Sequence, residues 1–230
     1  MNSILNYKNL LRKPRSEELE YRIGKASDKN IDKTGVFYHV ITKSTCGDIF
    51  LTKGAGEYRH NMLCGLCEER GITLLFSVTL PNHTHDVFLT PDWHLLSDVM
   101  RILDTNLSKY IRKNTKTKLD RKTKILRRHP LYIVIRDIVY LFVLGKYAFD
   151  NPAYLRDEGK FTPYDCFWTF KTGHMLNGYD EKIYPRLFGL TPAEIYEIYS
   201  TKTMREVVEY AKTRFGAWNA DITRSVFYKQ

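Results

Sequence analysis

Cysteine is the first scarcity. The 230-residue chain holds four, Cys46, Cys64, Cys67 and Cys166. That is too few for a disulfide scaffold at this length, so a reduced, cytoplasmic protein is expected. Cys64 and Cys67 form a C-x-x-C, but a closed zinc site needs four ligands and no second such pair exists. Both are expected as small core residues. Long apolar runs are also missing. Nothing approaches the roughly 18–20 residues that cross a bilayer. The opening Met-Asn-Ser-Ile-Leu-Asn-Tyr-Lys has no sustained apolar core of the secretory kind. No membrane association is expected.

Acidic residues are nearly absent where basic ones concentrate. Residues 109–128 hold Lys109, Arg112, Lys113, Lys116, Lys118, Arg121, Lys122, Lys124, Arg127 and Arg128 against Asp120 alone. This stretch carries a net +9 of the chain's +10. Solvated loops usually mix both signs. A block of one sign is the footprint of a polyanion partner. It has little apolar face, which favours nucleic acid over an anionic membrane surface.

Aromatic residues are plentiful, with 16 Tyr and 12 Phe, as in a folded chain. Residues 1–34 are polar and basic and read as a loosely held arm, with one short helix over 16–22 capped by Ser16. Residues 36–42 are strand-like by β-propensity. Ile49-Phe50-Leu51 and the glycines at 54 and 56 lead into a helix over 57–70, closed by Gly71. Residues 72–79 and 83–89 are apolar, β-branched runs on either side of Pro81-Asn82, hence two strands joined by a tight turn.

Leu96, Val99, Met100, Leu103, Leu107 and Ile111 then recur at helical spacing, predicting a helix from 94 or 95 to 114. A strand over 131–135 and a helix over 137–150 follow, and Asn151-Pro152 stops that helix. Strands joined by a tight turn are antiparallel, so the order predicts an α+β fold, a ferredoxin-like antiparallel sheet with packed helices. Past an aromatic connector over 161–170, capping boxes at Thr191-Pro192-Ala193-Glu194 and Thr203-Met204-Arg205-Glu206 predict two helices. The expected division is an arm over 1–34, a catalytic domain over 35–158 and a helical C-terminal appendage over 159–230.

Side chains alternate faces along a strand, so His83 and His85 project together and could chelate one divalent cation. An isolated H-x-H is more often a pair of part-exposed histidines beside a turn, and needs structural context. Tyr147 and Asn151, four apart, share a helix face. A tyrosine hydroxyl can attack phosphorus if a metal draws charge from the phosphate, and an amide oxygen one turn on could complete the metal site.

Together these residues resemble a family. Tyr38-His39-Val40, Leu80-Pro81-Asn82-His83-Thr84-His85 and Tyr147-Ala148-Phe149-Asp150-Asn151-Pro152 are similar in order and spacing to motifs of the single-tyrosine HUH transposases. The resemblance is to the insertion sequence 200-like group, and in particular its REP-associated tyrosine transposase branch. It covers roughly residues 36–156. The resemblance implies the HUH endonuclease fold, Mg²⁺ or Mn²⁺ held by His83, His85 and Asn151, and Tyr147 as nucleophile on single-stranded DNA carrying a hairpin. It implies a 5′-phosphotyrosine and a free 3′-hydroxyl, and it leaves a homodimer open.

Two residues depart from the pattern, Thr84 where a bulky apolar residue is usual and Asp86 where an apolar one is. Both point away from the metal face. Tyr110, on the basic helix, is a rival nucleophile. A catalytically silent DNA-binding protein derived from such a transposase is the alternative function.

Overall fold

The computed structural model describes residues 36–48, 50, 54–90, 92–115, 122–127, 130–135, 138–151 and 182–216. The N-terminal arm with its helix, the aromatic connector and the division at 158/159 lie outside these residues.

Strand β1 (Val36–Lys43) leads to helix α1 (Ala55–Arg70). The helix begins two residues before the expected start. Gly54, at φ 71°, is its N-cap, and Gly56 lies inside it. Gly71, at φ 63°, ends it by turning its N–H back to the carbonyls of Cys67 and Glu68, a left-handed exit that a side chain would strain. Strands β2 (Thr73–Thr79) and β3 (His83–Thr90) form a hairpin whose turn is closed by Leu80 N–H donating to His83 O at 2.8 Å. Helix α2 (Trp93–Asn114) starts one to two residues early because Asp92 caps it, its carboxylate accepting from His94 N–H at 2.7 Å. Strand β4 (Leu131–Ile135) and helix α3 (Ile138–Asp150) follow.

The sheet order is β2-β3-β1-β4, and every pairing is antiparallel. With a helix between β1 and β2 and another between β3 and β4, this is the expected α+β, ferredoxin-like arrangement. Helices α1 and α2 cover one face. Arg59 of α1 reaches Asp86 of β3, and Trp93 of α2 packs on Tyr132 of β4 with ring centroids 4.3 Å apart. Helix α3 covers the other face.

Three further helices, α4 (Ile183–Phe188), α5 (Pro192–Thr201) and α6 (Met204–Phe215), form a layer outside α3. Both predicted capping boxes are formed, Thr191 with Glu194 and Thr203 with Glu206. The Phe142 ring of α3 meets Phe188, Tyr199 and Phe215 at centroid distances of 5.2, 5.0 and 5.3 Å. Tyr199 donates its hydroxyl to Phe142 O at 2.6 Å. These helices therefore share one core with the sheet. Helix α3 is apolar nearly all round because it is sandwiched between two layers. Gly145 permits that sandwich: a Cβ there would collide with the Tyr199 hydroxyl and sit 3.0 Å from Phe76 Cζ.

Candidate functional site

Three of the predicted site residues meet on the α3 face of the sheet. Period-two alternation puts His83 and His85 on one side of β3, and their rings lie edge to face with centroids 4.9 Å apart. From α3, the Tyr147 ring stands edge-on to His85, 5.4 Å away at 88°. Asn151 is the first residue past α3, and its backbone N–H continues the helix by donating to Tyr147 O at 3.0 Å. Its side-chain Nδ2 is buried without a hydrogen-bond partner.

A fourth residue joins them, His39 of β1. Its Nε2 lies 2.9 Å from His85 Nδ1, and the two rings stack 5.1 Å apart. His39 lies in the Tyr38-His39-Val40 motif, but nothing in the sequence gave it a place in the site, because the β1–β3 register that brings it to His85 is a tertiary fact.

Burial sets the charge state of the cluster. It lowers the His39 pKa to about 3. It holds His85 well below the ordinary imidazole range, helped by the neighbouring His39, His83 and Lys43. His83, half-buried, is lowered by the same desolvation and by Lys43. All three are neutral near pH 7, the state in which an imidazole can coordinate a metal. Among the described residues, no three His, Cys, Asp or Glu side chains gather as a metal site. The candidate donors are two imidazoles and one amide.

Their atoms suit a cation. His85 Nε2 is buried with no hydrogen-bond partner, a costly condition for a polar atom. Asn151 Nδ2 is in the same condition, and turning the amide over would put an oxygen there. His83 Nδ1 donates to Asn82 Oδ1 at 2.6 Å, leaving its Nε2 as the lone-pair nitrogen.

Thr84 and Asp86 are explained by α1. On the opposite face of β3, Arg59 forms a buried ion pair with Asp86 and donates to Thr84 Oγ1 at 3.1 Å. Ser77 donates to Asp86 Oδ1 at 2.7 Å and Thr84 to Oδ2 at 3.1 Å. All four residues are no more than 1 % exposed. A polar network thus packs behind the histidines.

Tyr110 stacks on Tyr58 with centroids 4.2 Å apart, in a small cluster between α1 and α2. Tyr147 is the tyrosine that meets His85. Cys64 and Cys67 are buried in the core, and desolvation raises the Cys64 thiol to about 12 and the Cys67 thiol still higher. Such thiols are inert.

Of the predicted DNA-binding residues, Lys109, Arg112, Lys113, Lys122, Lys124 and Arg127 are described, while Lys116, Lys118, Arg121 and Arg128 lie outside the described residues. Arg112, Lys124 and Arg127 line a groove of about 500 Å³ with Ser108 and Asp104. Desolvation raises Asp104 to about 7 against the pull of Arg59. Arg127 N–H donates to Lys43 O at 2.8 Å, and Lys43 pairs with His83 across the β1–β3 ladder. The basic segment therefore runs beside the strand end that carries His83. Lys43, exposed on the histidine face, was missed because a lone lysine at a strand end carries no sequence signal. Lys146 was missed too: its Nζ donates to Asp150 Oδ1 at 2.7 Å and Tyr199 O at 2.6 Å, anchoring the turn of α3 that holds Tyr147.

No family model and no curated protein matches the chain. A solved structure of a REP-associated tyrosine transposase bound to a REP hairpin is similar at 15% identity with a TM-score of 0.43, over 65% of this chain and 87% of that one. A likeness at that level establishes neither the activity nor the partner of this chain.

Proposed function

We propose that the chain has the HUH endonuclease fold and is a metal-dependent endonuclease and strand transferase for single-stranded DNA, with Tyr147 as its nucleophile. One observation carries this reading: the Tyr147 ring rests on His85, whose outer nitrogen is buried and unpartnered beside His83. A tyrosine beside two neutral imidazoles could act as a nucleophile on phosphorus if those imidazoles held a metal.

His83, His85 and Asn151 would hold a divalent cation. Two imidazoles suit Mn²⁺ better than Mg²⁺. Such a cation would neutralise charge on the scissile phosphate. The residues of the chain supply the rest. Tyr147 Oη attacks phosphorus, the bond to the 3′-oxygen breaks, and that oxygen leaves as a hydroxyl while the phenol loses its proton. The product is a 5′-phosphotyrosine, which a free 3′-hydroxyl can reverse on another strand. Catalysis of this kind is mostly positioning and charge neutralisation. Lys146 and Gly145 seat the tyrosine helix, and Lys43 adds a cation beside His83. The basic segment would track the DNA backbone up to that point. A hairpin-bearing strand is the substrate we favour, following the family resemblance.

Thr84 and Asp86 are the departures that keep the silent DNA-binding alternative open, and their pairing with Arg59 lies on the face of β3 opposite the histidines. The test is cleavage of hairpin-bearing single-stranded DNA with Mn²⁺ or Mg²⁺ and with a chelator. Cleavage that needs the metal supports the reading. No cleavage of any single strand with either metal would overturn it.

A further inference from the structure

The contact between His39 and His85 has no role in the chemistry above, yet the direction of its hydrogen bond decides which nitrogen of His85 can face a cation. We propose that His39 is a positioning residue: its Nε2 accepts a hydrogen bond from His85 Nδ1–H and so keeps the lone pair of His85 on Nε2. The inference rests on the metal reading of the site and adds a residue to it.

The geometry comes from the β1–β3 register. Ile41 lies opposite His85, so His39, two residues back on the same face, is its diagonal neighbour. The rings stack at 23° with the two nitrogens 2.9 Å apart, and both residues are at most 5 % exposed. Two neutral imidazoles in such contact share one proton, and one must donate. If His39 donates, His85 carries its own proton on Nε2 and can bind no cation. If His85 donates, Nε2 carries the lone pair.

Each arrangement leaves one buried N–H without a partner. That N–H is His85 Nε2–H in the first and His39 Nδ1–H in the second, since neither nitrogen has a hydrogen-bond partner. Only the second leaves a lone pair on Nε2 of His85, whose ring meets those of Tyr147 and His83. His83 already shows the same device, with its Nδ1 held by Asn82 Oδ1 at 2.6 Å. Both imidazoles would then turn Nε2 outward with Nδ1 tied behind, as metal-bound histidines do in general.

The test is the tautomer of His85 in metal-free protein labelled with ¹⁵N-histidine, read from long-range ¹H–¹⁵N correlations. Protonated Nδ1 and bare Nε2 are expected. Protonated Nε2 overturns the proposal. A second measurement is Mn²⁺ affinity by calorimetry. His39→Phe keeps a ring but loses the acceptor, and should weaken Mn²⁺ binding about 10- to 100-fold. His39→Gln keeps an acceptor and should lie within a few-fold of wild type. Unchanged affinity in a folded His39→Phe overturns the role, and if that variant does not fold, the wild-type tautomer decides. Wild-type protein that carries the Nδ1 proton but binds no Mn²⁺ keeps the hydrogen bond assigned here and overturns the metal reading instead.

Discussion

Tyr147 and His85 stand edge to face, 5.4 Å between ring centroids and nearly perpendicular, although they come from a helix and a strand 62 residues apart in the chain. The contact depends on how closely α3 lies on the sheet, and Gly145, two residues before Tyr147, permits close packing against Phe76 and Tyr199. Gly145→Ala would gain about 1 kcal/mol of helix propensity. Against that, its Cβ would overlap the Tyr199 hydroxyl, and overpacking costs about 1–3 kcal/mol. The variant should be destabilised in urea unfolding. A more stable Gly145→Ala would show that α3 can shift without loss.

The buried pair behind the histidines gives a second prediction. Asp86→Ala leaves the Arg59 charge uncompensated in a fully buried setting and should cost about 3–5 kcal/mol. Replacing Arg59, Thr84 and Asp86 together by Met, Val and Leu should recover most of that loss, because no buried charge remains. Equal losses in the single and triple variants would mean that the residues act through shape alone.

How much of this was legible in sequence follows from which forces are local. Turn chemistry at Pro81-Asn82, helical spacing in α2 and the capping boxes at Thr191 and Thr203 are short-range, and each element formed where they pointed. His83 and His85 share a face by strand geometry alone. Arg59 was not legible as the partner of Thr84 and Asp86, because it reaches them from a helix 25 and 27 residues upstream. His39 needed the β1–β3 register. The docking of α4–α6 onto α3 does have a sequence signal: a helix apolar on all sides must be covered on all sides.

Stability should depend on pH through buried histidines. His39 and His60 have folded-state values lowered to about 3 and about 4, chiefly by desolvation. The unfolded chain takes up protons below about pH 6.5 while the folded chain does not, so stability falls as pH drops from there toward those values. Each contributes a loss of about 2 kcal/mol by pH 5. Asp104 acts in the opposite sense. Its raised value, about 7, means the folded state holds a proton that the unfolded state releases above its lower ordinary range. Urea midpoints between pH 7.5 and 5 should show a shallower slope in His60→Gln and a steeper one in Asp104→Asn. The reverse order would contradict these assignments.

Binding of single-stranded DNA should weaken steeply with salt, as counterion release requires. Neutralising Arg112, Lys124 and Arg127 to Gln should flatten the slope of log K against log salt by about one for each phosphate that is no longer neutralised. An unaltered slope in the triple variant would place the DNA elsewhere on the surface.

His83→Ala should abolish cleavage and leave that salt-sensitive binding nearly intact, since His83 sits on the reacting face and not in the basic groove. Cleavage at the wild-type rate in both His83→Ala and His85→Ala would remove the metal site from the account.

The most direct measurement is the identity of the residue joined to DNA. End-labelled single-stranded DNA is incubated with the protein and Mn²⁺ or Mg²⁺, the mixture is run on a denaturing gel, and the shifted band is mapped by peptide mass. The account predicts a 5′-phosphate on Tyr147, no adduct in Tyr147→Phe with the fold retained, and an unaltered adduct in Tyr110→Phe. An adduct that maps to Tyr110, or that persists in Tyr147→Phe, would contradict it.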